Sequence, residues 1–405
     1  MKIQRAYKTE LKPNNKQRTL LLKHCGVSRF AYNWGLNRKE NIYTINQLPI
    51  PHIKYPTAID LHRELNKLKK TDYQWMYEVS KCSPQEALRD LDDAYIRFFR
   101  CQAKHPKFKS KKKGVGSFRL TGIIKVNSKM IQLPRMGKIR LKESGYLPHD
   151  THILSATISE KCGRWFVSIQ VEENITVPIN NNPVVGVDLC VSDKIAHCSD
   201  NIIFPNPRPL RQLEHKKKRI QREVSRRKKG SNNRRKSVRK LQKIEMKIAN
   251  IRRDIQHKAT TILAKNKSVI GMEDLNVSGM MKNHNLAKSV SDAGIGEFYR
   301  QMEYKTTWYG SKLITADRFY PSSKTCSRCG YIHKDLILSD RVFVCPVCNF
   351  MIDRDLNASV NLERFAISSM ENLNACQSRE VSFPSGKVLD NEAGNEYHIG
   401  DVLNG

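Results

Sequence analysis

The chain has 405 residues, of which 39% are hydrophobic and 8% aromatic, so it can build two or three folded domains and is not a disordered protein. Lys and Arg number 72 against 39 Asp and Glu, which gives a formal net charge of +33. Because a globular core gains nothing from that self-repelling excess, it indicates a polyanionic partner, and nucleic acid is the usual one. The alternatives are a merely basic soluble protein and a basic membrane-surface protein.

The sequence also indicates the cellular location of the protein. No apolar run is long enough to span a bilayer, and the first residues lack the core of a signal peptide. The eleven cysteines include seven that are scattered outside the paired motif described below. Such usage is typical of a reducing environment. We therefore expect a cytoplasmic protein with no membrane partner.

The first 177 residues predict a sheet with helices inserted into it. The pattern predicts a strand at 1–12 and a loop at 41–57. Residues 104–117 predict a basic loop that contacts phosphate, and a solvated linker is the alternative. Apolar residues at helical spacing predict three helices, at 17–37, 58–70 and 84–104. Alternating or β-branched runs predict strands at 123–126, 130–133, 138–141, 153–159 and 165–173. With a hairpin turn at Lys161-Cys162-Gly163, residues 1–12 and 118–177 should form one β-barrel or curled sheet.

A linker at 178–183 marks the clearest domain boundary. The apolar run 184–189, which contains one acid, predicts an interior strand with two short strands beside it. The strongly basic stretch 208–266 predicts a helical hairpin, broken at 230–233, that contacts phosphate; a solvated charged face is the alternative. The remaining elements are strands at 195–198, 202–204, 268–274 and 313–319, helices at 297–309 and 355–367, and a disordered or dispensable tail from 372.

Two CxxC pairs, Cys326/Cys329 and Cys345/Cys348, are separated by a spacer of about fifteen residues. That spacing is typical of a four-thiolate zinc ribbon, in which each turn presents two sulfurs to one ion. Gly330 provides the positive φ that such a turn requires. Ordinary buried thiols are the alternative. A structural zinc has no open coordination position, so any chemistry is expected at the carboxylates nearby.

Three acids occupy positions where an acid is costly. Asp188 lies within a buried strand, Glu273 at the end of another, and Asp355 at the start of the last helix. If they converge, they would hold Mg²⁺ or Mn²⁺ through oxygen and support two-metal phosphodiester hydrolysis. The order of strands, helices and acids is that of an RNase H-like nuclease fold.

Each acid also has a simpler interpretation. Asp355 could cap its helix, Glu273 could pair with a lysine, and Asp188 could lie in a turn. Three neighbouring acids, Asp193, Asp274 and Asp353, compete for the same roles.

Several segments together resemble TnpB, the transposon-associated RNA-guided DNA nuclease related to type V CRISPR effectors. They are GVDLCVSD (186–193), GMEDL (271–275), SxxCxxCG (323–330), DRDLNASVNL (353–362), GVSRFAYNWGL (26–36), SDAGIGEFYRQMEYKTTWYG (291–310) and RRKKGS (226–231). The resemblance covers residues 1–367 and leaves the tail uncovered.

The resemblance implies an α+β multidomain architecture. A β-barrel wedge domain would comprise 1–12 and 105–180, with a helical recognition domain, 13–104, inserted into it. An RNase H-like (RuvC) nuclease domain would follow at 181–371, with a four-cysteine zinc ribbon inserted at 322–352, before the tail at 372–405.

The resemblance also assigns residues and partners. It implies Asp188, Glu273 and Asp355 as catalytic acids that bind Mg²⁺ or Mn²⁺, with Asp355 favoured over Asp353 because it precedes Leu356-Asn357-Ala358. The implied zinc ligands are Cys326, Cys329, Cys345 and Cys348, and the implied readers of a short target-adjacent motif are Lys81, Gln85 and Thr121.

The implied partners are a guide RNA from the transposon end and double-stranded target DNA, bound by a monomeric ribonucleoprotein in a prokaryotic cytoplasm. Two other functions stay open: a DNA-joining transposase and a nuclease-dead RNA-guided regulator.

Overall fold

The computed structural model describes residues 1–49, 51–149, 151–337 and 339–379. By internal contacts the chain forms two compact units, one of residues 1–177 and 210–250 and the other of 178–209 and 251 onward. None of the described helices is both long and apolar enough to cross a membrane.

The first unit contains a seven-stranded antiparallel sheet in the order β2-β6-β7-β1-β5-β4-β3. Its strands are β1 (Lys2–Lys12), β2 (Ser117–Leu120), β3 (Lys125–Val126), β4 (Met130–Leu133), β5 (Gly137–Leu141), β6 (His152–Lys161) and β7 (Arg164–Asn174). In β7, Trp165, Val167, Ile169 and Val171 alternate with more exposed residues and bury one face of the sheet. Since β1 pairs with both β7 and β5, the predicted single sheet is confirmed. The strands β2 and β3 end the strand order, and barrel closure stays a prediction.

The predicted hairpin turn is confirmed. Lys161 pairs with Arg164, which leaves Cys162 and Gly163 as a two-residue turn. Their φ angles of 58° and 82° are those that a tight hairpin turn between twisted strands demands.

Three helices connect β1 to β2 in the sequence: α1 (Asn15–Ile45), α2 (Ala58–Thr71) and α3 (Cys82–Phe99). One short 3₁₀ turn, Gln74–Glu78, lies between α2 and α3, and another, Lys111–Lys113, follows α3. Leu36, Leu61, Leu65, Leu88 and Leu91 are fully buried in the core that these helices share.

Two predicted helix ends and one strand in this unit are wrong. Helix α1 runs eight residues past Asn37, because Ile42 continues its buried face and the next proline is Pro49. Helix α3 ends at Phe99 instead of residue 104, since Cys101 adopts a left-handed φ of 55°. Strand β2 was not predicted, although Phe118 and Leu120 alternate inward from it, and only Lys125–Val126 of the 123–126 strand forms.

The basic hairpin forms as predicted, with α4 (Pro209–Arg226) and α5 (Asn232–Asn266). Ile220, Ile244 and Ile248 form one buried hydrophobic cluster, which joins the two helices within the first unit. Ion pairs such as Lys217–Glu245, at 3.2 Å, support the same contact.

The second unit contains a five-stranded sheet in the order β10-β9-β8-β11-β12. Its strands are β8 (Val185–Leu189), β9 (Lys194–Cys198), β10 (Ile203–Pro205), β11 (Val269–Glu273) and β12 (Lys312–Ala316). The first three are antiparallel neighbours, whereas β8, β11 and β12 are parallel. The helices are α6 (Val277–Lys282), α7 (Ala287–Ala293), α8 (Ile295–Tyr309) and α9 (Arg354–Arg379), and a small hairpin comprises β13 (Val342–Val344) and β14 (Met351–Asp353).

The predicted meander of β8, β9 and β10 is confirmed, but other boundaries differ. Strand β12 ends at Ala316 and not at residue 319, and the short helices α6 and α7 were not predicted. Helix α9 continues to Arg379, well past residue 367, so 372–379 is helical and not part of an irregular tail. The rest of the predicted tail, 380–405, lies outside the described residues.

Candidate active site

The first two acids are placed by two neighbouring parallel strands. Gly271 of β11 is paired with Gly186 of β8, and Met272 with Val187. Side chains alternate along a strand, so Asp188 shares the face of Gly186 and Glu273 shares the face of Gly271. Both acids therefore lie at the carboxyl ends of adjacent strands, on one face of the sheet.

Helix α9 carries the third acid onto that face. A Cβ at Gly186 would lie 1.8 Å from the Ser359 carbonyl oxygen, and one at Gly271 would lie 2.4 Å from that of Leu362. The helix backbone therefore rests directly on the two glycines. Asp355 lies one turn before Ser359, which brings it over the strand end that carries Asp188.

Asp188 and Asp355 converge around a thiol. The Cys190 Sγ atom lies 3.4 Å from Asp188 Oδ2 and 3.6 Å from Asp355 Oδ2. One potential ligand atom from each of these three residues lies within 4.8 Å of the others. Burial, with the negative charges of Glu273 and Asp355, raises the Asp188 pKa to about 7. Two close carboxylates that repel each other are a fitting site for a divalent cation, which prefers oxygen donors.

Glu273 lies beside this pair but outside the group of three. Its charge is the second cause of the raised Asp188 pKa, after burial. Its carboxylate accepts a hydrogen bond from the buried Ser322 hydroxyl, and its carbonyl accepts one from Tyr299. The structure thus brings Asp188 and Asp355 together and leaves Glu273 adjacent, held by its own hydrogen bond.

A cationic side chain that the sequence did not single out also contacts Asp355, at the same oxygen that lies near the Cys190 thiol. The Lys194 Nζ atom is 3.0 Å from Asp355 Oδ2, 3.8 Å from Asp353 Oδ1 and 3.1 Å from His197 Nδ1. Burial opposes the charge of Lys194, but the hydrogen bond and charge of Asp355 outweigh it and raise the lysine pKa. This β9 lysine therefore offsets part of the negative charge around Asp355.

The competing acids take other roles. Asp353 caps helix α9 by accepting hydrogen bonds from the Asp355 and Leu356 backbone N–H groups, at 2.9 and 3.0 Å. Asp274 pairs with Arg318 at 2.5 Å. Asp193 is exposed. The helix cap considered for Asp355 is thus made by Asp353, and Asp188 lies in a strand and not in a turn.

The four predicted zinc ligands lie together. Sulfur–sulfur distances are 3.7 Å for Cys326–Cys348 and 3.6 Å for Cys329–Cys345, and all four sulfurs lie within 4.8 Å of one another. Tetrahedral zinc with Zn–S bonds of about 2.3 Å needs sulfurs about 3.8 Å apart. The cysteine cluster therefore fits a zinc ribbon.

The two cysteine turns have the same backbone construction. Gly330 donates its N–H to the Cys326 carbonyl at 2.9 Å, and Asn349 donates to the Cys345 carbonyl at 3.0 Å. Both have positive φ angles, 78° and 54°. The sequence indicated Gly330, and Asn349 is the second such residue because Asn tolerates this conformation.

The predicted motif readers lie in the first unit, around the start of α3. Lys81 directly precedes the first residue of that helix, and Gln85 follows one turn later. Between them, Cys82 donates its S–H to the Thr121 carbonyl at 3.3 Å. Nothing tests their role in the recognition of DNA, which stays a prediction.

These features define a mixed α/β protein with an acidic centre at the strand ends and a four-cysteine ribbon beside it. Family descriptions match three parts of the chain: "Helix-turn-helix domain" at 1–47, "Probable transposase" at 166–284 and "Cas12f1-like, TNB domain" at 296–362.

Two relatives cover nearly the whole chain. A "Putative RNA-guided DNA endonuclease" from Streptomyces pristinaespiralis is 32% identical, over 89% of each chain. "Putative RNA-guided DNA endonuclease InsQ" from Escherichia coli strain K12 is also 32% identical, over 89% of this chain and 92% of the relative. The chain belongs to the TnpB family of transposon-associated RNA-guided DNA endonucleases.

A solved structure supports the fold. The structure titled "Cryo-EM structure of the Cas12f1-sgRNA-target DNA complex" matches 89% of this chain and 99% of its own, with a TM-score of 0.50 and 11% identity. That likeness concerns the fold alone.

Proposed function

We propose that this chain uses a transposon-derived guide RNA to cleave double-stranded DNA by metal-dependent hydrolysis. The observation that carries the proposal is the approach of Asp188 and Asp355 around Cys190, with Glu273 adjacent. Acids this close to one another on a basic chain are costly unless a cation offsets their charge.

The topology of the second unit supports an RNase H-like (RuvC) domain. A three-strand antiparallel meander, β10-β9-β8, continues into parallel β11 and β12. The acids lie at the ends of β8 and β11 and at the start of α9, which is the arrangement we expect for that nuclease fold.

The chain's own residues would perform four tasks at this centre. Asp188 and Asp355 would hold Mg²⁺ or Mn²⁺, and Glu273 would complete the oxygen ligands. Lys194 would orient Asp355 through their ion pair. A cation bound there would activate a water and neutralise charge at the phosphodiester. The contacts of α9 with Gly186 and Gly271 would hold Asp355 beside the two acids at the strand ends.

The ribbon would hold Zn²⁺ in a structural role. Four thiolates leave the ion no open position, so Cys326, Cys329, Cys345 and Cys348 would stabilise the fold and take no part in the hydrolysis.

The nucleic-acid partners follow from the family and the charge. The names of two relatives specify RNA-guided cleavage of DNA, and the Cas12f1 structure contains guide RNA and target DNA. In the basic hairpin, Lys218, Arg222 and Arg226 line one open surface groove of α4, which suits phosphate contact. The first-unit sheet, as a wedge barrel, would present Lys81, Gln85 and Thr121 to the target-adjacent motif, in a monomeric ribonucleoprotein.

Cleavage of a guide-matched duplex tests the proposal. Protein purified with its guide RNA should cut that duplex with Mg²⁺, and Asp188→Ala should abolish cutting while guide RNA stays bound. The matched control is Asp193→Ala, which removes an exposed acid just after the same strand and should leave cutting intact.

Other outcomes would contradict the proposal. Cutting by Asp188→Ala would show that the acids are not the catalytic centre. Strand joining without guide RNA would indicate a transposase. Guide-dependent DNA binding with no cutting by the wild type would indicate a regulator.

A further inference from the structure

The loop that enters the zinc ribbon also contacts the acidic centre. Ser322, which is only 2% exposed, donates its hydroxyl hydrogen bond to the Glu273 carboxylate. Glu273 ends β11, whereas Ser322 lies beyond the end of β12 at the ribbon's entrance. One buried hydroxyl therefore connects the ribbon's entry loop to one of the three acids.

Two asparagines one turn apart on α9 hold that loop. Asn361 donates its amide to the carbonyls of Ser322 and Thr325, at 2.8 and 2.6 Å. Asn357 donates to the Thr325 carbonyl at 2.7 Å and accepts from the Ser327 backbone N–H at 3.0 Å. Both asparagines are almost fully buried. Such hydrogen bonds are costly to break, because a buried polar group left without a partner loses its solvation.

The same contacts enclose the first predicted zinc ligand. Cys326 lies between Thr325 and Ser327, and both of these neighbours are hydrogen-bonded to Asn357. Helix α9 thus holds the start of the ribbon at one point and carries Asp355 in its first turn. Helix α9 therefore carries Asp355 and is also hydrogen-bonded to the Ser322 carbonyl through Asn361. Ser322 in turn is hydrogen-bonded to Glu273.

A carboxylate at this position needs orientation from its surroundings. Glu273 has rotatable side-chain bonds, and its charge faces that of Asp188, so repulsion favours rotamers that turn away. The Ser322 hydroxyl stabilises one rotamer and leaves the second carboxylate oxygen available. We propose that Ser322 is a positioning residue for Glu273, held in place by Asn357, Asn361 and the folded ribbon. This inference rests on the proposed nuclease function, in which Glu273 completes a cation site.

Binding of Mn²⁺ to the full-length, guide-loaded protein tests the proposal, measured by electron paramagnetic resonance. Ser322→Ala should weaken Mn²⁺ binding by roughly tenfold or more, the cost typical of a lost hydrogen bond to a metal ligand. It should also raise the Mg²⁺ concentration needed for half-maximal cleavage, while zinc content and guide RNA binding stay as in the wild type. Excess Mg²⁺ should recover much of the cleavage rate.

Ser369→Ala is the matched control. It removes a serine hydroxyl from helix α9, outside the contacts of the ribbon entrance, where that hydroxyl donates to the Phe365 carbonyl at 2.8 Å. Its Mn²⁺ binding and Mg²⁺ dependence should match those of the wild type.

Two results would overturn the role of Ser322. One is wild-type Mn²⁺ binding by Ser322→Ala. The other is an equal loss of cleavage at every Mg²⁺ concentration together with loss of zinc, which would show a purely structural residue. Failure of the nuclease proposal looks different: the wild type would bind Mn²⁺ without cutting DNA, or Asp188→Ala would still cut.

Discussion

Gly186 and Gly271 are paired across two parallel strands, and both lie directly under the backbone of helix α9. Gly186 lies two residues before Asp188, and Gly271 lies two residues before Glu273, each on the same face of the sheet as its acid. The close approach of helix to sheet, and with it the position of Asp355, depends on the absence of a side chain at these two sites.

Gly186→Ala should therefore displace helix α9. The new Cβ would lie 1.8 Å from the Ser359 carbonyl oxygen, and a backbone atom cannot move aside as a flexible side chain can. We expect destabilisation of about 3 kcal/mol or more, as for a severe core overpacking, and loss of cleavage. Denaturant unfolding and the cleavage assay measure the two effects.

Gly26→Ala is the matched control for that change. Gly26 is interior to helix α1, and a Cβ there meets nothing within 4 Å. Alanine should stabilise the helix by up to about 1 kcal/mol and leave cleavage unchanged. A fully active, fully stable Gly186→Ala would contradict the close packing of α9 on the sheet.

Asp188→Asn should stabilise the protein when no divalent cation is added. Its carboxyl pKa is raised to about 7, so between pH 4 and 7 the folded state binds a proton that the unfolded state has lost. The contribution of Asp188 to the free energy of unfolding therefore falls as the pH rises from 4 to 7 and stays low above pH 7. Asparagine removes the penalty, which is of the order of 4 kcal/mol above pH 7 at 1.36 kcal/mol per pKa unit.

Thermal unfolding of both proteins between pH 4 and 8, with the ribbon zinc-loaded and Mg²⁺ omitted, checks this expectation. The advantage of Asp188→Asn should grow with pH and level off above 7. Added Mg²⁺ should stabilise the wild type more than the variant. An advantage that does not change with pH would contradict the raised pKa.

Cys345→Ser should remove the zinc and, with it, the rigidity of the ribbon entrance. Loss of one thiolate leaves three ligands, and Asn357 and Asn361 would then hold a loop that is no longer fixed at its far end. We expect zinc content and cleavage to fall together, measured by elemental analysis and by the cleavage assay. Cys101→Ser, at an exposed cysteine outside the ribbon, should change neither. A zinc-free but fully active Cys345→Ser would contradict the link.

The sequence predicted those features of the fold and of the candidate site that depend on local patterns. An acid inside an apolar run, a paired CxxC spacing and a turn at Cys162-Gly163 each depend on neighbours in the chain. Lys194, Ser322 and the asparagines of α9 were missed, because their partners lie far away in the sequence and single polar residues have no periodicity. The C-terminal half of α9 was missed for a related reason, since its polar composition resembles that of the tail.

Lys194→Met should lower the stability of the folded protein most when Mg²⁺ is absent. The ammonium lies 3.0 Å from Asp355 in a pair whose side chains are only 14% and 15% exposed, so its loss leaves a largely buried carboxylate without this ion-pair partner. We expect a lower melting temperature without Mg²⁺, and a larger rise on Mg²⁺ addition than in the wild type, because the added cation replaces the missing charge. Lys258→Met, which breaks a solvent-exposed ion pair with Asp254, is the control and should change neither value. Equal melting temperatures for Lys194→Met and the wild type without Mg²⁺ would mean that Lys194 does not offset the charge of Asp355.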